Sequence, residues 1–184
     1  MNLKSENLVE IRRDFHRFPE LGFKEKRTKD KIIGYLKELG LEVHSGAGIV
    51  GVLRSGEGSK VIGLRADMDA LPIRETNTHD YVSNNTGVMH ACGHDGHMAM
   101  LLGAAYKLST NTNFSGTIVF IFQPNEELGL GAKAMMDEGL LENFPIQEIY
   151  GMHNLPGVPT GELLTRSGVI CSSESLFEIK IKGM

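Results

Sequence analysis

A short run near the middle of the chain, GTIVFIFQP at residues 116–124, constrains the fold more than any other feature. Its residues 118–122 are apolar at every position, so both faces of a strand formed here must be covered. A strand that is buried on both faces lies inside a sheet with further layers packed above and below it. The run therefore predicts a layered domain with this strand at the centre of its sheet.

Helical and extended patterns alternate along the rest of the chain. Apolar residues at helical spacing predict helices at residues 8–18, 26–40, 97–108 and 130–141. Extended patterns predict strands at residues 41–45, 48–54, 61–67, 146–154, 161–168 and 175–184, with a hairpin turn at 55–60 and a long irregular segment at 69–90. This order predicts an α/β fold with a central sheet.

Composition excludes several classes of partner. The net charge is −4 and no run of lysine or arginine stands out, so neither a nucleic acid nor an anionic membrane surface is expected as a partner. The most apolar run is far shorter than a bilayer span, and the charged start does not resemble a secretory signal. Two cysteines make no disulfide framework, so we expect a reducing, cytoplasmic setting.

Polar residues cluster where the predicted strands end. Asp67 and Asp69 follow one strand, Glu126 and Glu127 follow the apolar strand, and His153 follows a third. In sheets of this kind, ligands bind outside the carboxyl ends of the strands. We therefore expect these side chains to share one site.

The stretch HACGHDGH opens a predicted helix and admits three interpretations. If the loop is extended, the side chains of His90, Cys92 and His94 project to one face and could bind one metal ion. Thiolate with imidazole suits zinc, and imidazole with carboxylate also accepts manganese, cobalt or nickel. The alternatives are a cysteine nucleophile with a histidine base, and a polar loop with a small buried cysteine.

The glutamate pair adds to the metal interpretation. On an extended chain, neighbouring side chains point to opposite sides, so one glutamate could bind a metal while the other acts as a general base. Two adjacent carboxylates repel, and a divalent cation offsets that repulsion. Each cluster taken alone has an alternative explanation: a solvated loop for the glutamate pair, a structural histidine for His153, and a capped turn for Asp67 and Asp69. Their coincidence at one end of the sheet favours metal-assisted hydrolysis of an amide.

Five stretches of the chain follow, in order and spacing, the motifs of a known group of enzymes. They are RRDFHRFPELGFKE, LRADMDALPI, MHACGHDGHMAMLLGAA, IFQPNEELGLGAKAMMDEG and GMHNLPGVPTGE. These stretches resemble the di-metal aminoacylase and carboxypeptidase superfamily. The most similar branch contains the amidohydrolases: hippurate hydrolase, N-acyl-amino-acid deacylases, N-acetyldiaminopimelate deacetylase and plant auxin-conjugate hydrolases. The resemblance runs from about Arg12 to the last residue.

The resemblance implies a role for each matched residue. Two divalent metal ions, zinc or else manganese, cobalt or nickel, would be bound by four residues: Cys92, His94, Glu127 and His153. Glu126 would be the general base.

Neighbouring residues of the same motifs receive supporting roles. Asp69 would orient a group of the metal site, and Asp67 stands where many relatives have a ligand histidine. His90 and His97 would be structural or would support the ligands without binding metal.

The resemblance also implies an architecture. We expect a three-layer, zinc-peptidase-like catalytic domain with a mixed, mostly parallel sheet, cut before an inserted ferredoxin-like lid and dimerisation domain. Residues 1–175 would belong to the catalytic domain, and residues 176–184 would begin the lid. Family members are roughly twice as long as this chain, and their lid domain often forms the dimer. The resemblance therefore implies that the full-length protein is a homodimer, and that its substrate is an N-acyl amino acid or small peptide. The alternative is a non-catalytic half-domain that binds metal or a partner.

Overall fold

The computed structural model describes residues 7–173, 175 and 177–183. The chain divides into two compact units, Met1–Asn154 and Leu155–Met184. The helices and strands of the described residues all lie in the first unit: α1 (Leu8–Arg17), α2 (Lys26–Glu38), β1 (Glu42–Ser45), β2 (Ile49–Ser55), β3 (Val61–Asp67), α3 (His94–Thr110), β4 (Gly116–Gln123), α4 (Gly131–Asp137), α5 (Leu140–Asn143) and β5 (Glu148–Gly151). No helix in this part of the chain is long and apolar enough to cross a membrane.

The sheet has five strands in the order β1-β2-β4-β3-β5. Strand β4 pairs in parallel with β3 and antiparallel with β2, and Phe120 lies between Gly51 and Leu64. Because β5 is parallel to β3 and β1 is antiparallel to β2, β2 alone among these five strands runs in the opposite direction. The predicted mixed, mostly parallel sheet with the apolar run at its centre is confirmed.

Alternate side chains of β4 enter two separate cores, one on each face of the sheet. Phe120 and Phe122 pack against the face covered by α1, α2 and α3. Val119 and Ile121 pack on the other face with Met135 of α4. Burial of each such side chain contributes about 1.5–3 kcal/mol, so β4 stabilises both interfaces. The fold therefore has three layers, as expected.

The predicted hairpin turn at residues 55–60 is wrong. Strands β2 and β3, which flank it, do not pair with each other, because β4 lies between them. Glycine-rich turn chemistry indicates a change of direction but does not select the partner strand. The strand that is apolar on both faces takes the interior position, and the tight hairpin instead joins β1 to β2 at Ser45 and Ile49.

Other element boundaries also differ from the predictions. The single helix expected at residues 130–141 is two helices, because Gly139 adopts φ +87°, which interrupts the helix. Strands expected at 161–168 and 175–184 are not formed in the described residues, and residues 176 and 184 lie outside that description. An extended sequence pattern becomes a strand only when a neighbouring strand accepts its hydrogen bonds.

The segment between β3 and α3 is irregular, as predicted, apart from isolated bridges such as Leu71 to Met89. Helix α3 begins at His94, three residues earlier than predicted, directly after Gly93 at φ +94°. Strand β5 ends at Gly151, so His153 lies two residues beyond it. These boundaries place both histidines beside the same end of the sheet.

Candidate metal centre

The candidate site lies at the carboxyl ends of three parallel, adjacent strands. Asp67 ends β3, Glu126 and Glu127 follow β4, and His153 follows β5. The first turn of α3 brings His94 to the same edge. Carboxyl ends of parallel strands open on one edge of a sheet, which is where ligands bind in α/β folds.

His94 is the centre of the arrangement and is fully buried. Its Nδ1 lies 2.8 Å from the carbonyl oxygen of Asp69. A carbonyl oxygen only accepts, so Nδ1 carries the proton and Nε2 presents a lone pair, the form of imidazole that binds metals. Nε2 has no hydrogen-bond partner among the described residues. It lies 3.7 Å from Glu127 Oε1 and 3.8 Å from Glu126 Oε2.

The surrounding carboxylates create a negative field at His94. Burial alone would lower the pKa of His94. The Asp69 carboxylate, whose Oδ1 lies 3.5 Å from His94 Nδ1, and the charges of Asp67 and Glu127 outweigh burial and raise that pKa. Burial and the neighbouring Glu126 likewise raise the pKa of the Glu127 carboxyl. A field that favours a proton at this point also favours a divalent cation.

Cys92 and His153 form the second part of the site. The Cys92 Sγ lies 3.4 Å from the His153 Nε2, while His153 Nδ1 donates to the carbonyl oxygen of Asn154 at 2.7 Å. The ligand atoms of Cys92, His94 and His153 all lie within 4.8 Å of one another. Their separation fits ligands that converge on one ion.

The cysteine-nucleophile interpretation is disfavoured by the electrostatics of Cys92. Burial, followed by the charge of Glu127, raises the pKa of the Cys92 thiol to about 11. A nucleophilic cysteine needs a lowered pKa, because the thiolate is the reactive form. A bound metal ion would deprotonate the thiol, so the surroundings suit a ligand better than a nucleophile.

Asp69 connects the main parts of the site. Its Oδ1 accepts the backbone N–H of Glu126 at 2.9 Å, and its Oδ2 accepts that of Glu127 at 3.1 Å. Burial would raise the pKa of the Asp69 carboxyl, but the nearby His94 ring, whose Nδ1 lies 3.5 Å from Oδ1, and the hydrogen bonds from these two amides outweigh burial and lower it. One buried aspartate therefore positions His94 through its carbonyl and the glutamate pair through its carboxylate.

The expectation that Glu126 and Glu127 point to opposite sides is wrong. Both carboxylates lie within 4 Å of His94 Nε2. Alternation is a property of extended chain, whereas these residues lie in a turn that follows Asn125 at φ +43°.

Asp67 is engaged by two donors. It accepts hydrogen bonds from Arg65 at 2.8 Å and from His97 Nδ1 at 2.7 Å. Burial opposes ionisation, but the hydrogen bond from His97 and the charges of His94 and Arg65 lower the pKa of Asp67 to about 2. The other nitrogen of His97 contacts Asn154 at 2.7 Å, so His97 connects the end of β3 to the residues after β5.

His90 does not join Cys92 and His94, so the expectation that all three project to one face is wrong. The segment bends at Cys92 and turns into α3 at Gly93. His90 instead enters the interior, where neither ring nitrogen has a partner among the described residues. Burial lowers the pKa of His90 to about 4, so the ring is neutral at pH 7.

Sequence reasoning assigned no role to Glu25, which supports the glutamate turn. Glu25 is 1% exposed, and its Oε1 accepts the backbone N–H of Asn125 at 2.9 Å. Burial raises the pKa of the Glu25 carboxyl. The available signal was an acidic residue directly before α2 within FPELGFKE, but its partner lies 100 residues away in the sequence.

Two buried ligand atoms without a hydrogen-bond partner in the described ranges indicate that these residues fit a metal ion. Among the described residues, His94 Nε2 and Glu127 Oε1 are both buried without a hydrogen-bond partner, and they lie 3.7 Å apart. Burying such atoms unpaired costs free energy, and a cation bound by both would offset that cost. Thiolate, imidazole and carboxylate together form a ligand set that suits zinc.

Comparison with known proteins gives a consistent result. The profile of peptidase family M20/M25/M40 matches residues 63–182. Thermostable carboxypeptidase 2 of Saccharolobus solfataricus is 43% identical over 183 residues, covering 96% of this chain and 46% of that protein. Hippurate hydrolase of Campylobacter jejuni is 44% identical over 176 residues, covering 94% of this chain and 46% of that protein.

A solved structure extends the similarity to three dimensions. The Bacillus subtilis YXEP protein, described as a dinuclear metal-binding peptidase from family M20, superposes with a TM-score of 0.81 at 40% identity. The alignment covers 85% of this chain and 45% of that one. The chain spans about half the length of the curated relatives it matches. Since the family profile covers more than half of its residues, the chain belongs to peptidase family M20/M25/M40.

Proposed function

We propose that the protein is a metal-dependent amidohydrolase that hydrolyses the amide bond of an N-acyl amino acid or a small peptide. One observation carries the proposal: Nε2 of buried His94, which has no hydrogen-bond partner in the described part of the chain, lies beside a thiol, a second imidazole and two carboxylates. Relatives named carboxypeptidase and hippurate hydrolase support the hydrolytic class.

Four residues would hold a pair of divalent ions: Cys92, His94, Glu127 and His153. The thiolate ligand favours zinc, and manganese, cobalt or nickel are the alternatives. A bound divalent ion supplies a Lewis acid that polarises a carbonyl oxygen and makes water more acidic. Asp69 keeps His94 in the tautomer that can bind and anchors the backbone of the glutamate turn.

Glu126 would be the general base. Its backbone N–H is anchored by Asp69, while its side chain is 39% exposed and can reach a substrate at the open edge of the sheet. The carboxylate accepts a proton as the water oxygen bonds to the amide carbon. Glu126 then returns that proton to the nitrogen as the carbon–nitrogen bond breaks, so the products are an acid and an amine.

The decisive variant is Glu126→Gln in the full-length protein, assayed on N-acetyl and N-benzoyl amino acids with added zinc or manganese. We expect kcat to fall by roughly 10²- to 10⁴-fold with metal content unchanged, since the amide cannot accept the proton. Glu142→Gln, at an exposed position of α5, is the matched control and should keep full activity. Normal turnover in the Glu126 variant would show that another group is the base. Loss of metal would show that Glu126 is a ligand.

We extend the proposal to the organisation of the full-length protein. Residues 1–175 would be the catalytic part and residues 176–184 the start of a lid and dimerisation domain, giving a cytoplasmic homodimer. Size-exclusion chromatography with light scattering tests the dimer, and a monomeric full-length protein would contradict it. Turnover by the 184-residue chain would argue against a non-catalytic half-domain.

A further inference from the structure

A second cluster of possible ligands lies away from the proposed centre, between α1, the irregular segment after β3 and the start of α3. His16 Nε2 lies 3.1 Å from Glu75 Oε1, and His79 Nε2 lies 3.2 Å from the same oxygen. The side chains of His16 and Glu75 are 4% exposed, and that of His79 is 28% exposed. None of the three takes part in the proposed hydrolysis.

The separations within this cluster match those around a single ion. Ligand atoms 2.0–2.2 Å from a tetrahedral zinc ion are about 3.3–3.6 Å apart. The two contacts, 3.1 and 3.2 Å, are slightly shorter than this range, and all three ligand atoms lie within 4.8 Å of one another. Two imidazoles and one carboxylate form a zinc-type ligand set, and the partial exposure of His79 leaves a side open to water.

The other ring nitrogen of His16 is hydrogen-bonded to a carboxylate, as is common for histidines that bind a metal. Its Nδ1 lies 2.8 Å from Asp95 Oδ2, and the same oxygen accepts Arg12 Nε at 2.8 Å. Opposite an ionised aspartate, Nδ1 must donate, so Nε2 of a neutral ring presents a lone pair toward the Glu75 carboxylate. Two acceptors at 3.1 Å repel unless a proton or a cation lies between them. A carboxylate behind a ligand histidine is the usual way to fix its tautomer.

Three nitrogen atoms lie close to Glu75 Oε1. His16, His79 and Asn77 all place a nitrogen within 3.2 Å of this one oxygen, which has two lone pairs. His79 stacks on Tyr81 with ring centres 3.8 Å apart. An ion bound by Nε2 of both imidazoles and by Glu75 Oε1 would remove the repulsion between facing lone pairs and leave the Asn77 N–H donating to that oxygen.

We propose that His16, Glu75 and His79 form a further divalent-metal site of the zinc type, separate from the dinuclear centre. It joins α1 and the irregular segment to the first turn of α3, since Asp95, which orients His16, is the neighbour of His94. The site has a structural role and stabilises the segments that surround the proposed active site.

The test compares zinc content in variants of the full-length protein after dialysis against zinc-buffered solution. His79→Phe keeps an aromatic ring for stacking on Tyr81 and removes both ring nitrogens. His44→Leu is the matched control, because His44 is an exposed histidine that also contacts a glutamate. We expect the His79 variant to bind one zinc ion fewer per chain than the wild type, and the His44 variant to bind the same number.

The expected difference of one zinc ion does not depend on whether the proposed dinuclear centre binds metal. The test can therefore fail while the proposed function stands, and it can succeed if the proposed function is wrong. His79→Gln is the second variant if the phenylalanine protein is unstable, since its side-chain amide can still donate to Glu75. We also expect zinc to raise the midpoint of thermal unfolding less in the His79 variants than in the wild type. Equal zinc content in wild type and both His79 variants would overturn the proposal and leave His16 protonated between two carboxylates.

Discussion

Replacing Asp69 with asparagine tests how the site is held together. The Asp69 carboxylate is 1% exposed and accepts two backbone N–H groups, those of Glu126 and Glu127, at 2.9 and 3.1 Å. An asparagine oxygen can accept from one of these amides. The side-chain NH₂ then faces the other amide, so one charge-assisted hydrogen bond is lost and a buried donor is left unpaired.

The magnitude follows from those two effects. A hydrogen bond to a charged group contributes about 1.5–3 kcal/mol, and an unpaired buried donor costs about 1–3 kcal/mol. The two effects overlap because they concern the same amide, so we expect Asp69→Asn to lower the free energy of unfolding by about 2–4 kcal/mol. That is a large part of the roughly 5–15 kcal/mol that stabilises a typical domain.

Urea unfolding of the metal-free protein at pH 7 measures this loss. The midpoint should fall while the dependence on urea concentration stays the same, because the surface exposed on unfolding is unchanged. Asp137→Asn is the control: Asp137 is an exposed partner of Lys133, so its loss should cost less than about 1 kcal/mol. If Asp69→Asn costs no more than Asp137→Asn, the carboxylate does not hold the glutamate turn and the reasoning is refuted.

Two further predictions concern titration. His90 has a pKa of about 4 in the folded state against 6.5 for an ordinary histidine. Between these two pH values the unfolded chain therefore binds a proton that the folded chain does not. Stability from this group is complete above pH 6.5 and falls by about 3 kcal/mol as the pH drops to 4; His90→Leu should remove that slope, and an unchanged slope would contradict the assignment. Cys92 has its pKa raised to about 11 from 9.0, which lowers the thiolate fraction at pH 7 about 100-fold, while the more basic thiolate is roughly 10-fold more nucleophilic. In the metal-free protein it should therefore react with iodoacetamide about 10-fold more slowly than a model thiol. Mass spectrometry follows the reaction with the exposed Cys171 as internal reference, and faster labelling of Cys92 would favour a nucleophile.

The central layer of the fold could be predicted because its signal is local. The apolar run at residues 116–124 needs cover on both faces wherever it lies, and β4 is indeed the middle strand. The polar residues after β3, β4 and β5 could be grouped for a related reason, since parallel strands end on the same edge. The pairing of the strands was harder to predict from the sequence. The turn at 55–60 carries no information about β4, which lies between the two strands that flank this turn.

The site details that could not be predicted depend on contacts between distant residues. Glu25 supports Asn125 across 100 positions, and no periodic pattern connects them. The direction of Glu126 and Glu127 depends on a turn whose backbone is anchored by Asp69. A rule for extended chain therefore failed there, although the position of the pair directly after the apolar strand was predicted correctly.

The most direct test of the central claim is anomalous diffraction from zinc-loaded crystals of the full-length protein, recorded above and below the zinc absorption edge. We predict two anomalous peaks at the carboxyl edge of the sheet, contacted by Cys92, His94, Glu127 and His153. Glu126 should contact neither ion. If no zinc peak lies among these four ligands at saturating zinc, the edge of the sheet is not a metal centre and the proposed hydrolytic mechanism is contradicted.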